Sequence, residues 1–268
     1  MAMIEQLVSA ASEGVERRRS QVPLEDLEGR LQGRGEDRPF REALVRPGLS
    51  VVAEFKRRSP SAGGIGADAD LAQTVGAYER GGAAALSVLT DESHFDGSLD
   101  DLRAAREACD LPILRKDFVV DEYQLYEAAV HGADAVLLIV RALEPSMLTA
   151  LHATALTLDL DPLVEVHDVD ELERALELDA AVIGINNRDL DTGEIDLATT
   201  YELMPDVPAG RTVVAESGIS SRDQVDDLDR VGVDAALIGE ALMRSSDPEA
   251  KVRELSRVEE GSGEHPLP

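Results

Sequence analysis

The sequence predicts an α/β fold, a (β/α)8 TIM barrel with an N-terminal helical extension. Eight short runs of aliphatic and β-branched residues recur along the 268-residue chain, and segments of helical period separate them. Successive runs begin roughly 20 to 33 residues apart, the length of a strand–helix–strand crossover. Most runs are continuously apolar, as in parallel strands that are covered on both faces. Eight such units fit a closed barrel of about 250 residues.

The predicted strands and helices alternate in order along the chain. The strands are predicted over residues 51–55, 84–89, 112–114, 133–140, 162–166, 180–185, 211–215 and 234–238. The helices that follow them are predicted over residues 68–80, 99–108, 121–130, 145–158, 169–178, 197–203, 222–231 and 241–257. The structural alternative is a doubly wound open sheet with a glycine-rich first turn. No turn of that form follows the first strand, so the closed barrel is favoured.

Two terminal segments lie outside this alternation. Residues 1–48 contain two helical stretches, 3–19 and 23–31, which we expect to pack on the barrel and cover one of its mouths. The barrel itself is expected to span residues 49–258. The tail, residues 259–268, has the sequence EEGSGEHPLP and is predicted to be disordered.

The composition excludes several classes of protein. Hydrophobic residues make up 43% of the chain, which is enough for a sizeable core. The formal charge of −28 repels phosphodiester backbones and anionic lipids, so we expect neither nucleic-acid nor membrane partners. No apolar run approaches the roughly 18 to 20 residues that span a bilayer, and no signal peptide is evident. The single cysteine, Cys109, is expected to be a small buried apolar residue in a reducing, cytoplasmic setting.

The acidic excess resembles that of proteins from salt-loving cells. Against 54 acidic residues stand 26 basic ones, of which three are lysine and 23 arginine. Concentrated salt shortens the screening length to a few Å and suppresses the self-repulsion of such a surface. A halophilic protein is therefore expected, and the alternative is an acidic protein from an ordinary cell.

Polar residues follow the predicted strands at the barrel face that carries the active site in this fold. Glu54 and Lys56 close the first run and share one face of the strand, because strand side chains alternate. Lys116 follows the third run and Glu165 closes the fifth. Arginine cannot release a proton at useful pH, whereas a partly buried lysine can be tuned. Two of only three lysines at strand ends therefore suggest a general acid or a compact charge.

The last two strands carry a pattern typical of phosphate sites. Ser217-Gly218 and Gly239-Glu240 stand where a strand turns toward a helix, and glycine there lets backbone N–H groups approach an anion. Phosphate binding after strands 7 and 8 is a recurrent feature of this fold. The alternative is that these glycines only serve tight turns. The loop over residues 57–67 is long and glycine-rich, as mobile lids often are.

Metal and nucleophile motifs are weak in this sequence. No two of the five histidines are four residues apart, and none clusters with Cys109. Only His167 falls near a predicted strand end, where we expect it to face solvent or to lie behind the site. No metal ligand set is therefore predicted.

Seven ordered blocks resemble the indole-3-glycerol-phosphate synthase family. They are EFKRRSPS at residues 54–61, LSVLT at 86–90, LRKDF at 114–118, LVEVH at 163–167, IGINNRDL at 183–190, AESGI at 215–219 and IGEALM at 238–243. The match covers roughly residues 45–245, with each block on the expected strand. It implies conversion of 1-(2-carboxyphenylamino)-1-deoxyribulose 5-phosphate into indole-3-glycerol phosphate, carbon dioxide and water in tryptophan biosynthesis. It also implies that no cofactor is used.

The resemblance assigns roles to particular residues. Lys116 is expected to be the general acid and Glu165 the general base. Lys56 holds the substrate carboxylate or shares proton delivery, and Glu54 orients the lysines and the reacting hydroxyl.

The remaining roles concern substrate binding. Asn186 and Arg188 are expected to bind the ribulose hydroxyls or the carboxylate, and Ser59 to contact the phosphate or the lid. Phe95 and Phe118 are expected to sandwich the anthranilate ring. Glu216 belongs to the site without a defined role. The phosphate is assigned to Ser217, Gly218, Gly239 and the backbone of Glu240. Glu240 stands where some members have serine, so its carboxylate is expected to point away from the phosphate.

The same barrel is compatible with two other functions. A phosphoribosylanthranilate isomerase would use a cysteine and an aspartate as its acid and base, but Cys109 lies in the region of a predicted helix. A non-catalytic sensor or scaffold for a phosphorylated ligand would need no acid and base at the mouth. We expect a monomer, with a weak dimer as the alternative.

Overall fold

A closed ring of eight parallel strands forms the centre of the molecule. The computed structural model describes residues 3–31, 38–60, 63–67 and 69–256, and the predicted tail at 259–268 lies outside them. The strands are β1 (Ser50–Phe55), β2 (Ala85–Leu89), β3 (Ile113–Lys116), β4 (Ala135–Ile139), β5 (Asp161–Val166), β6 (Val182–Asn186), β7 (Thr212–Glu216) and β8 (Ala235–Ile238). Each pairs with its sequence neighbours, and β1 pairs in parallel with β8 to close the ring. This confirms the predicted (β/α)8 TIM barrel.

Helices surround the ring and precede it. They are α1 (Met3–Gln21), α2 (Leu24–Leu31), α3 (Phe40–Leu44), α4 (Leu71–Gly81), α5 (Glu92–Phe95), α6 (Leu99–Ala108), α7 (Tyr123–Val130), α8 (Pro145–Thr157), α9 (Val169–Glu177), α10 (Ala198–Leu203), α11 (Arg222–Arg230), α12 (Glu240–Met243) and α13 (Pro248–Ser256). Short 3-10 turns cover Val140–Ala142 and Met204–Asp206. Residues Arg58–Ser59 and Gly63–Gly64 form a small antiparallel pair in the loop after β1.

The apolar residues divide into two cores because strand side chains alternate between faces. Val52, Leu114, Leu163 and Val214 belong to the core inside the barrel. Their chain neighbours face outward into a larger core between strands and helices, as Ile113 does. The residue two positions beyond each of these inward-facing residues also faces inward, at the C-terminal mouth of the barrel. This register decides which polar side chains enter the site.

The N-terminal extension contacts both ends of the barrel, whereas the sequence predicted that it covers one. Helix α3 closes the N-terminal end, where Phe40 is fully buried and the backbone N–H of Arg41 donates to Asp161 at the start of β5 over 2.9 Å. Helix α1 lies at the other end, and its Arg18 donates to Glu127 of α7 over 2.6 Å. Helix α3 escaped prediction because five residues are too few to show a helical period.

Two predicted boundaries differ from the structure. Residues 241–257 were predicted as one helix, but the chain forms α12 and then α13, which starts at Pro248. Proline lacks the N–H that a continuous helix needs, so the break is expected on physical grounds. Strand β3 extends to Lys116, two residues beyond the prediction. Lys116 therefore has the fixed direction of a strand residue.

The remaining global features concern Cys109 and membrane spans. Cys109 follows α6 and is buried, and burial raises the pKa of its thiol. This agrees with its predicted role as a small apolar residue. Within the described part of the chain, no helix combines the length and apolar character needed to cross a bilayer.

Candidate active site

A cavity of about 750 Å³ opens at the C-terminal ends of the strands. Every predicted site residue lines it, namely Glu54, Lys56, Ser59, Phe95, Lys116, Phe118, Glu165, Asn186, Arg188, Glu216, Ser217, Gly218, Gly239 and Glu240. The register of the strands explains this convergence. Glu54, Lys116 and Glu165 each stand two residues after an inward-facing apolar residue of the same strand. Their side chains therefore enter the barrel at the same end.

Lys116 lies between two carboxylates at the floor of the cavity. Its Nζ donates to Glu165 Oε2 over 3.1 Å and forms a short hydrogen bond to Glu216 Oε2. Both glutamates are almost completely buried. Burial lowers the pKa of the Lys116 ammonium, but the charges of Glu165, Glu216 and Glu54 outweigh it and raise the pKa above its ordinary value. Lys116 is therefore a charged group that holds its proton at neutral pH.

The two carboxylates around Lys116 have different proton affinities. Burial is the largest influence on Glu216, and together with repulsion from Glu165 it exceeds the attraction of Lys116 and raises the pKa of Glu216 to about 7. Burial also acts to raise the pKa of Glu165, but Lys116 and His167 hold that pKa well below its ordinary value. Such a separation of two carboxyl groups is typical of acid–base sites. Glu165 is ionised at neutral pH, and Glu216 titrates near it.

A second ion pair lies on the β1 side of the cavity. Lys56 Nζ contacts Glu54 Oε1 at 2.5 Å, as their shared strand face predicts. The absence of a side chain at Gly239 leaves room for this pair, because a Cβ at that position would collide with the Glu54 carboxylate. Gly184 makes room for Glu216 in the same way. Gly239 thus has a packing role that the sequence analysis did not identify.

The side-chain amide of Asn187 connects the end of β6 to the end of β7 by hydrogen bonds. Asn187 Nδ2 donates to the carbonyl oxygens of Glu216 and Ser217 over 2.9 and 3.1 Å, and its Oδ1 accepts from the Thr200 hydroxyl over 2.7 Å. Ser217 has a φ of 66°, in the left-handed region that non-glycine residues seldom adopt. Gly218 follows with a φ of 83°. Asn187 therefore stabilises the turn on which phosphate binding was predicted.

Asn186 and Arg188 also face the cavity. Asn186 Oδ1 accepts the backbone N–H of Arg188 over 3.0 Å. Arg188 Nη1 donates to the carbonyl of Gly193 over 2.9 Å, which fixes the guanidinium at the rim. The remaining N–H groups of the Arg188 guanidinium can serve an anionic or hydroxylated ligand.

Phe95 and Phe118 adjoin each other at one side of the cavity. Their ring centroids are 6.4 Å apart and their planes are inclined by 41°. A flat ring held between two parallel rings needs about 7 to 8 Å between them, two van der Waals layers. With their planes inclined, Phe95 and Phe118 form an apolar corner of the cavity, and the sandwich around the anthranilate ring stays a prediction.

The carboxylate of Glu240 has a partner on its own helical turn. Arg244 Nε donates to Glu240 Oε1 over 2.8 Å, and both side chains are at the cavity rim. The pair neutralises the acidic side chain next to Gly239. This arrangement is compatible with an anion at the backbone of Glu240.

Several lining residues were missed by the sequence analysis. They are apolar, and they include Met3 and Leu7 of α1 together with Leu137, Ile139 and Leu237 of the strands. The strand residues could have been found from their two-residue spacing, which places them on the inward face. Nothing in the sequence of α1 places Met3 and Leu7 at the cavity. Within the described ranges, no group of three or more histidine, cysteine or carboxylate side chains is placed so that it could hold a metal ion.

Comparisons with known proteins agree with one another over nearly the whole chain. The family model described as indole-3-glycerol phosphate synthase matches residues 4–255. The indole-3-glycerol phosphate synthase of Desulfosudis oleivorans is 45% identical over 257 residues, covering 94% of this chain and 98% of the relative. That of Kineococcus radiotolerans is 47% identical over 251 residues, with 94% and 87% covered. Indole-3-glycerol phosphate synthase 1 of Streptomyces coelicolor is 43% identical over 269 residues, with 99% and 97% covered.

Among solved structures, the thiamine phosphate pyrophosphorylase of Pyrococcus furiosus matches with a TM-score of 0.59 at 20% identity. The alignment covers 80% of this chain and 95% of that structure. At such low identity the likeness concerns the barrel fold alone.

Proposed function

This chain belongs to the indole-3-glycerol phosphate synthase family and is a carboxy-lyase of tryptophan biosynthesis, and we propose that it works by general acid–base catalysis within the cavity. The substrate is 1-(2-carboxyphenylamino)-1-deoxyribulose 5-phosphate. The observation that carries the proposed mechanism is the position of Lys116 between Glu165 and Glu216. It supplies one proton donor and two carboxylates at a single point of the cavity.

The reaction needs protons at defined atoms. The ring carbon that bears the carboxylate attacks the ketone carbon, and Lys116 delivers a proton to the ketone oxygen as the new C–C bond forms. The C–CO2 bond then breaks, and its electron pair restores the aromatic ring. In the last step the hydroxyl takes up a second proton, from Lys116 after Glu216 has reprotonated it, and leaves as water, while Glu165 removes a proton from the methylene carbon next to the nitrogen. The balance is one substrate carboxylate and one proton converted to carbon dioxide, water and the indole product.

Glu216 completes the proton supply in this proposal. Loss of carbon dioxide from a carboxylate consumes one proton overall, so the site must be resupplied in each turnover. Glu216 hydrogen-bonds to Lys116 and has a pKa of about 7, raised chiefly by burial. It can therefore pass a proton to Lys116 near neutral pH.

The other residues bind the two ends of the substrate. Lys56, oriented by Glu54, pairs with the substrate carboxylate during ring closure. The anthranilate ring packs in the apolar corner of Phe95 and Phe118. At the opposite side, Ser217, Gly218, Gly239 and the backbone of Glu240 take the phosphate, while Arg188, Asn186 and Ser59 contact the ribulose portion or the loop above it.

The proposed mechanism is tested by turnover of the purified protein. Adding the substrate in concentrated KCl should raise the indole fluorescence, with equimolar release of carbon dioxide. The matched control is the double variant Lys116→Arg/Glu165→Gln, which keeps the cavity filled but removes the proposed acid and base. Binding of the substrate without turnover by the unaltered chain would favour the sensor alternative, and full turnover by the control would refute the assigned acid and base.

We propose that the acidic surface is an adaptation to concentrated salt. Exposed carboxylates such as those of Glu107, Asp170, Glu173 and Asp223 lie on a surface with few cations to offset them, at a formal charge of −28. The screening length falls from about 10 Å at 0.1 M salt to about 3 Å at 1 M, so repulsion across the surface is suppressed. We expect the Tm to rise steeply from 0.1 M to molar KCl, measured by circular dichroism. A Tm that is independent of KCl would contradict the adaptation.

The Glu240–Arg244 pair provides a prediction about phosphate binding. In Arg244→Ala the Glu240 carboxylate loses its counter-charge and repels the phosphate, so KM should rise about two- to fivefold with little change in kcat. The second change in Arg244→Ala/Glu240→Ser should restore KM. Initial rates at several substrate concentrations measure both effects, and Arg230→Ala on the exposed face of α11 is the control. If the KM of the double variant is as high as that of Arg244→Ala, then Arg244 does more than neutralise Glu240.

We further propose a cytoplasmic monomer, with a weak dimer as the alternative. The biosynthetic role of the family and the free thiol of Cys109 support a reducing compartment. The partner of this protein is the phosphorylated substrate. The acidic surface disfavours binding of nucleic acid and of anionic lipid.

A further inference from the structure

His167 has a position that the proposed mechanism does not use. It directly follows β5, two residues beyond Glu165, and its side chain is only 4% exposed. Its Nε2 lies 3.3 Å from Glu165 Oε1, and its Nδ1 lies 3.0 Å from Glu171 Oε2. The imidazole therefore has a carboxylate oxygen beside each ring nitrogen.

This arrangement favours the imidazolium form. A neutral imidazole has a single N–H and could donate to only one of the two carboxylates, whereas the imidazolium donates to both. Glu165 Oε1 and His167 Nε2 are both buried, and the 3.3 Å ion-pair contact between them is the polar contact that the described structure gives each atom. Because both atoms are shielded from solvent, this contact stabilises each of them.

The local turn fixes His167 in place. Asp168 Oδ1 caps α9 by accepting the backbone N–H of Glu171 over 2.9 Å, and Glu171 Oε2 accepts the backbone N–H of His167 over 2.9 Å. Arg141, from the turn after β4, donates to Glu171 Oε1 over 2.6 Å. These hydrogen bonds fix Glu171, and Glu171 holds the imidazole of His167 in place independently of any ligand.

We propose that His167 is a positioning residue for the catalytic base: as an imidazolium it holds Glu165 Oε1 and leaves Oε2 directed at Lys116. This rests on the proposed role of Glu165. The two cations on opposite oxygens keep Glu165 ionised and fix its orientation. When Lys116 gives its proton to the substrate, His167 remains as the positive neighbour, so Glu165 stays a carboxylate until it takes the methylene proton.

The charges around His167 agree with this assignment. Glu165 of β5 and Glu171 of α9 favour the charged ring, and Arg141 opposes it while pairing with Glu171, Asp168 and Asp189. Lys116 of β3 faces the other oxygen of Glu165. Burial acts to lower the pKa of His167, but Glu165 and Glu171 outweigh it and raise the pKa to about 9. The imidazolium is therefore present at neutral pH and is lost as the pH rises through about 9.

The test is the pH dependence of kcat in His167→Gln. Glutamine can still donate one hydrogen bond but has no charge, so the pKa of Glu165 rises in the enzyme–substrate complex. We expect the acid limb of kcat to move to higher pH by about one unit or more, with KM nearly unchanged. His131→Gln, at the end of α7, is the control and should keep the profile of the unaltered enzyme.

A role in packing alone would lower kcat by the same factor at every pH and leave the acid limb in place, and that result would overturn the inference. The protonation state is measured independently from the imidazole 15N shifts of His167. We expect an imidazolium at pH 7 and a lower titration midpoint in Glu171→Gln, and a neutral ring at pH 7 would also overturn it. A failure of the catalytic role itself is recognised separately, because Glu165→Gln would then be active.

Discussion

Replacing Lys116 by alanine or arginine should reduce kcat by about 10²- to 10⁴-fold, the usual contribution of a positioned general acid. Alanine removes both the proton and the charge. Arginine keeps the charge between Glu165 and Glu216 but does not release a proton at useful pH. The kcat of each variant is measured by indole fluorescence under saturating substrate. Similar losses of kcat in both variants would assign the effect to proton transfer.

Stability must be followed alongside activity in this pair of variants. In Lys116→Ala two buried carboxylates lose their counter-ion, and breaking a buried pair costs about 3 to 5 kcal/mol unless a carboxyl takes up a proton. Lys116→Arg avoids that loss. Lys251→Ala is the matched control, because the Nζ of Lys251 pairs with Glu254 on the outer helix α13 and does not line the cavity. Near-native kcat in both Lys116 variants would remove Lys116 from the mechanism.

Replacing Glu165 by glutamine should also reduce kcat by about 10²- to 10⁴-fold. Glutamine has nearly the same shape and can still hydrogen-bond to Lys116, so the fold and KM should change little. It cannot accept the methylene proton in the final step. We therefore expect the cyclised, decarboxylated and still hydroxylated intermediate to accumulate in rapid-quench samples.

A deuterium label identifies the step affected. With deuterium on the methylene carbon next to the nitrogen, Glu165→Asp should show a larger isotope effect on kcat than the unaltered enzyme, because aspartate places the base farther from that carbon. Glu254→Gln on α13 serves as the control. An unchanged isotope effect together with full activity of Glu165→Gln would exclude Glu165 as the base.

Much of the barrel could be predicted because its information is local. Each apolar run carries its own strand signal, and the alternation of side chains places Glu54 and Lys56 on one face without knowledge of any other strand. The motifs at the strand ends likewise named most of the polar residues that line the cavity, although Thr192, Ser220 and Arg244 were missed. The boundaries of elements were predicted less accurately, because a single residue can end or extend an element. Examples are the break before Pro248 and the C-terminal end of β3.

The contacts inside the site depend on distant parts of the chain. Lys116 is 49 residues from Glu165 and 100 residues from Glu216, and no local pattern states that their side chains meet. The tilt between Phe95 and Phe118 depends in the same way on two separate elements, α5 and the loop after β3. Helix α1 reaches the cavity through tertiary contacts, in which Leu7 packs into the core inside the barrel and Arg18 pairs with Glu127 of α7.

The sequence by itself determined the barrel, its strand order and most of the polar residues at one mouth, because strand period and chain direction are properties of short segments. Only the tertiary structure decided how the charges are shared: which carboxylate stays ionised, which titrates near neutrality and which histidine becomes a cation. Those properties arise from burial and from charges a few Å apart, and both exist only after the ring of strands has closed.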